Sequence, residues 1–191
     1  MKIQSTPTDT VQAGFGALSD RNWLGLAASV HPAALTRVRQ SELTFQLAWA
    51  YWKEGIAASK HRWAVAEDGS ISPEGLGPVA HVTVSAYPDT PTVAQLATLS
   101  APAFFATWCR AVYQSDSDRA QSNHKPDLRR QIVGEVLEGD NLAHVLYHLD
   151  FEAPEPWTIR VMPLKREGDR WFLLLNEDLA SATASMMLLH A

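Results

Sequence analysis

Four apolar, β-rich runs stand close together late in the chain: Gln131–Leu137, Asn141–Phe151, Trp157–Leu164 and Trp171–Asn176. Glu138-Gly139-Asp140 separates the first two, and Lys165-Arg166-Glu167-Gly168-Asp169 lies between the last two. A glycine beside an aspartate between such runs is the chemistry of a tight hairpin connection. The pattern predicts a four-stranded antiparallel meander over residues 131–176. Alternation along the second run sets His144, Leu146, His148 and Asp150 on one face. Ala143, Val145, Tyr147, Leu149 and Phe151 fall on the other, which is the drier face and the one expected to meet helices.

Upstream the period lengthens to that of a helix. Val11, Phe15 and Leu18 predict a first helix from Thr8, with Thr8 as its cap. Trp23, Leu24, Ala27 and Val30 predict a second over Asp20–Val30, ended by His31-Pro32 because the residue before a proline is pushed out of the helical region. Pro32 suits the first turn of a third helix, with Leu35 and Val38 on its buried side. Ser41–Ala58 carries two stripes at helical spacing, Phe45/Trp49/Trp52 and Leu43/Leu47/Ala50, and is read as helix although Leu43-Phe45-Leu47 also alternates as a strand would.

Arg62–Ala66 and Val79–Ser85 predict two short strands on either side of a segment rich in glycine, proline and serine. Tyr87-Pro88-Asp89-Thr90-Pro91 is a further break. Ser100 as cap, Pro102 in the first turn and the stripe Phe105, Trp108, Cys109 and Val112 predict a helix over 98–114. Ser115–Asp127 is polar and reads as a loop. The tail 177–191 has no charged residue after Asp178 and contains Met186-Met187-Leu188-Leu189, so it is expected to pack on the domain or on a second copy.

Composition narrows the function classes. A chain of 191 residues with a 46% apolar share is expected to fold as a single domain with a sizeable core. Its net charge of −5, with no basic run longer than a pair such as Arg129-Arg130, argues against nucleic acid and anionic membrane as partners. The N-terminus lacks the apolar stretch of a secretory signal and no run approaches a membrane span, so the expected location is cytoplasmic. The single cysteine, Cys109, excludes an intrachain disulfide and reads as a small buried hydrophobe.

The order of helices, short strand pair, helix and long meander resembles the nuclear transport factor 2-like superfamily, in particular its uncharacterised bacterial branch. The residues carrying the resemblance are Asp20–Ala27, Val30–Leu35, Val133–Asp140, His144–Tyr147, Val161–Leu164 and Gly168–Trp171, covering roughly residues 8–40 and 98–176. The resemblance implies an α+β fold in which a curved antiparallel sheet of four to six strands packs against N-terminal and central helices as a cone around a pocket. Residues 41–97 form an enlarged central section compared with that pattern. The superfamily includes isomerases, dehydratases, cyclases, ligand binders and dimerisation modules, so the resemblance does not select an activity.

The candidate chemistry is sparse. His144 and His148 are four apart, but on a strand that spacing leaves them roughly 13 Å apart, too far to share one ion, so no metal site and no cofactor is expected. If the polar row faces a pocket, His148 and Asp150 are the acid–base candidates, with Asp150 fixing the imidazole tautomer. His31, at the start of a helix, is the third candidate. His144 with Trp49, Trp52 and Trp108 are the candidate ligand contacts. No phosphate loop, nucleophile elbow or paired Cys-x-x-Cys occurs. The leading expectation is therefore a non-catalytic module that binds a small apolar ligand or a protein and forms a homodimer. The alternative is a cofactor-independent lyase or isomerase acting on a small apolar substrate.

Overall fold

The computed structural model describes residues 6–56, 76–84, 87, 90, 92–120, 129–150 and 158–175, and for 113–120, 129, 149, 150 and 158 the backbone alone. The chain is α+β, with helices α1 (Pro7–Ser19), α2 (Trp23–Ser29), α3 (Pro32–Lys53), α4 (Val93–Thr98) and α5 (Ala101–Ala120). Strands β1 (Arg129–Glu138), β2 (Leu142–Asp150), β3 (Thr158–Glu167) and β4 (Arg170–Leu173) form one antiparallel sheet in the order β1-β2-β3-β4. Two compact units result: residues 1–31 with 116–191, and residues 32–115.

In the first unit, α1 begins where Pro7 fixes a helical φ and Thr6, rather than Thr8, caps it. Thr6 accepts from the Asp9 amide while the Asp9 carboxylate accepts from the Thr6 amide, both at 3.0 Å. The two Thr6 hydrogen bonds hold the Asp9 carboxyl below its ordinary value. Thr8 instead donates from its hydroxyl to Glu135 on β1 at 2.7 Å. Asn22 caps the shorter second helix by accepting from the Gly25 amide. The buried side of α1 is Pro7, Thr10, Val11 and Gly14. Gly14 is needed for a close approach: a Cβ there would stand 2.9 Å from Leu173 Cδ1 on β4.

The meander follows the predicted order. Gly139 (φ +66) and Gly168 (φ +62) occupy the left-handed region in the β1–β2 and β3–β4 turns. The helix-facing side of β2 is the predicted one: Ala143, Val145 and Tyr147 are buried, and the Tyr147 ring meets Phe15 of α1 edge-on at 5.0 Å. Met162, Leu164 and Leu173 continue this buried face across β3 and β4. A bulge between Ile132 and Gly134 interrupts the β1–β2 register, and such an extra residue bends its strand. Val30 forms an isolated parallel bridge with Leu173, whose carbonyl accepts from the His31 amide at 2.8 Å.

Among its described residues the second unit is largely helical. α3 runs unbroken over what periodicity suggested were two helices, because no proline or glycine interrupts residues 33–53. Of its two stripes the structure buries Leu43, Leu47 and Ala50, leaving Phe45 and Trp49 half-buried and Trp52 74% exposed. Val38 is half-buried. The strand expected at Val79–Ser85 does not form over the described residues 79–84. Gly77–Val79 is a 3-10 turn, and a single bridge joins Thr83 to Thr92. Val82 and Val84 are buried from this irregular backbone, so their alternation reflected burial rather than pairing. α4, capped by Thr92 and Gln95, was not anticipated. α5 starts as predicted, with Ser100 accepting from the Ala103 amide and Phe105, Trp108, Cys109 and Val112 buried. It extends to Ala120, into the stretch expected to be loop. The expected strand Arg62–Ala66 and the tail 177–191 lie outside the described residues.

Candidate functional site

The sheet has one face turned to α1 and α2 and one turned away from them. Residues paired across antiparallel strands share a face, so the register assigns the second one. It carries Val136 on β1, His144, Leu146 and His148 on β2, and Ile159, Val161 and Pro163 on β3. Apolar side chains are well exposed there: Val136 by 54%, Ile159 by 56% and Val161 by 42%. His144, Leu146 and His148 are half-buried. An isolated exposed valine is ordinary, but a contiguous apolar row across three strands marks a contact surface.

Two His–Glu pairs sit toward the turn end of this sheet. His144 Nε2 lies 3.0 Å from Glu138 Oε2, an exposed pair within the β1–β2 hairpin. His31, 5% exposed, places Nε2 at 2.8 Å from Glu167 Oε1, while its ring meets Phe172 edge-on at 6.0 Å. Lys165 Nζ stands 3.8 Å from the same Glu167 oxygen, and the Arg170 guanidinium lies over Phe172 at 5.0 Å. The position of His31 follows from the chain path. The Val30–Leu173 bridge fixes its backbone beside β4, and the next alternation carries its side chain toward the β3–β4 turn.

The three acid–base candidates do not form one centre. His148 is opposite Ile159, and Glu167, the partner of His31, is eight residues further along β3. That separation is roughly 26 Å at about 3.3 Å per residue. His148 and Asp150 remain two apart on β2, with Asp150 opposite Arg129. Nor do the ligand-contact candidates share a surface: Trp52 is exposed, whereas Trp108 is 1% exposed and packs on Phe105 at 5.7 Å. Trp49 lies under the Lys53 ammonium at 5.0 Å. Among the described residues no three His, Cys, Asp or Glu side chains gather as metal ligands, and no helix is long and apolar enough to cross a membrane.

The helical unit has a polar interior that sequence reading missed. Arg39, Glu42 and Gln46 sit on the same buried side of α3 as Leu43 and Leu47, with 7%, 2% and 1% exposure. Arg39 Nη2 donates to the Ala97 carbonyl at 2.8 Å. Tyr87, fully buried, packs on Phe104 at 6.3 Å. Burial, and then the Glu42 charge, push its phenol well above the ordinary tyrosine value, with the nearby Gln46 amide opposing the shift. Burial alone pushes the Cys109 thiol up. Polar residues at helical spacing normally mark a solvated face, so nothing in the sequence singles this cluster out.

Comparisons of the chain with protein-family models, with curated proteins and with solved structures yield no match.

Proposed function

We propose that the protein is a non-catalytic binding module of the nuclear transport factor 2-like cone type, and that it pairs with a second copy through the sheet face turned away from α1 and α2. The observation that carries this reading is the exposed row of Val136, Val161 and Ile159 beside Leu146 on that face. A second copy suits it because the same strip presented twice is self-complementary about a two-fold axis. The half-buried His144 and His148 lie within the strip and supply polar contacts that fix its register. A single acid–base centre built from His31 and His148 is disfavoured by their separation along β3.

Size-exclusion chromatography with light scattering tests the reading. A dimer is expected at micromolar concentration, and Val161→Glu or Ile159→Glu, which bury a charge in the contact, should give monomers with unchanged circular dichroism. A monomeric native protein, or a dimer indifferent to both substitutions, overturns it.

A further inference from the structure

Resting on the dimer reading above, we propose that the contact between two copies is proton-dependent, the His144–Glu138 pair of each copy taking up a proton as the sheet faces close. The pair lies within the contact. His144 stands directly opposite Val136 on β1 and Pro163 on β3, so a second copy that covers Val136 also covers this imidazole. Glu138 is the next residue after Val136 on the same face of β1, and its Oε2 lies 3.0 Å from His144 Nε2. In a single copy the two side chains are 38% and 68% exposed, so both have water to lose when the face is covered.

The sign of the effect follows from which charges are left dry. A carboxylate stays ionised across neutral pH, whereas an imidazole changes charge there. With a neutral imidazole, closing the face buries one unbalanced negative charge per copy. With a protonated imidazole each copy buries a hydrogen-bonded ion pair instead, which costs less to desolvate than a lone charge. The other charged groups described on this face answer one another. Lys165, opposite Leu142, holds its ammonium 3.8 Å from Glu167, and Glu167 meets His31 at 2.8 Å. The Arg170 guanidinium lies over Phe172, and Asp140 is exposed in the adjoining turn. His148, further along β2, has Gln131 and Ile159 opposite it, neither of them a carboxylate. Each chain carries −5 with its histidines neutral, so a proton at the contact also lessens the general repulsion between copies.

Analytical ultracentrifugation of the full chain between about pH 8 and about pH 6, where imidazoles change charge, measures the dimer dissociation constant that tests this. Uptake of one proton per copy should tighten the dimer by about tenfold or more over that span. The gain should persist at high salt, which screens repulsion between whole chains but not a dry pair. His144→Gln keeps a hydrogen-bonding group beside Glu138 and should hold the weaker, alkaline constant at every pH. Glu138→Gln should dimerise more tightly than the native chain at the alkaline end and weaken on acidification, because a protonated imidazole would then be buried alone. Circular dichroism checks that both variants keep the native fold. A native dimer with a flat pH profile, a slope abolished by salt, or a slope that survives His144→Gln overturns this inference and leaves the dimer itself standing. A chain that stays monomeric across the whole range overturns both.

Discussion

The contact between α1 and β4 gives the sharpest test of how the first unit is held together. Gly14 has ordinary helical backbone, so alanine there gains up to about 1 kcal/mol of helix propensity. Its Cβ, however, would stand 2.9 Å from Leu173 Cδ1, and Leu173 is only 4% exposed. Forcing that side chain aside costs about 1–3 kcal/mol by analogy with overpacked cores. Gly14→Ala should therefore destabilise the native protein by about 0–2 kcal/mol once the propensity gain is subtracted. Leu173→Ala alone should cost about 2–5 kcal/mol, because it removes a buried side chain and leaves a cavity. In the Leu173→Ala background the obstructing methyl is gone, and Gly14→Ala should stabilise by about 1 kcal/mol. The two substitutions are thus coupled by about 1–3 kcal/mol, measurable by urea unfolding followed by circular dichroism. The same effect of Gly14→Ala in both backgrounds, within about 0.5 kcal/mol, would refute the close approach.

Other expectations rest on separate parts of the chain. Thr6→Ala should cost about 1 kcal/mol by removing one side of the capping box. Because the Asp9 carboxyl is held below 3.8, its contribution is present above that pH and is lost as pH falls through the lowered folded value. The Thr6→Ala deficit, read by thermal melts, should therefore shrink on acidification, and a deficit that grows below pH 3.8 contradicts the assignment. Gly168→Ala, at φ +62 in the β3–β4 turn, should cost about 1–2 kcal/mol by chemical denaturation, and a neutral result argues against that turn. Cys109 is buried with its thiol pushed up, so it should resist an aromatic disulfide reagent until the protein unfolds. Rapid labelling of the native chain would contradict this.

The strands were legible because their signal is local. Period-two alternation and a glycine–aspartate turn lie within a few residues of each other, and the buried face of β2 follows from them. α3 shows the limit of the same method. Its Phe45/Trp49/Trp52 and Leu43/Leu47/Ala50 stripes are equally helical, and only tertiary packing decides that the second is buried and Trp52 is not. Val82 and Val84 show another: alternation records which side chains avoid water, and an irregular segment can satisfy that without a partner strand. The candidate site was least legible. His31 meets Glu167 across 136 residues, and nothing near either residue announces the other. The buried Glu42 and Gln46 were invisible for the opposite reason, since charge and amide groups by default belong to the surface.

The bridge from Val30 to Leu173 also bears on the order in which the molecule can be made. The first unit is built from residues 1–31 and 116–191, whereas the helical unit between them, 32–115, is continuous. During synthesis α3 to α5 emerge together and can close their own core early. α1 and α2 leave the ribosome before α3, yet the strand that receives Val30 is among the last described segments to be made. Val11, Trp23 and Leu26, buried in the finished structure, must wait until that strand is made. A nascent chain stalled before residue 170 would hold a completed helical unit and an orphaned pair of helices, and it is there that a holdase would find its apolar target.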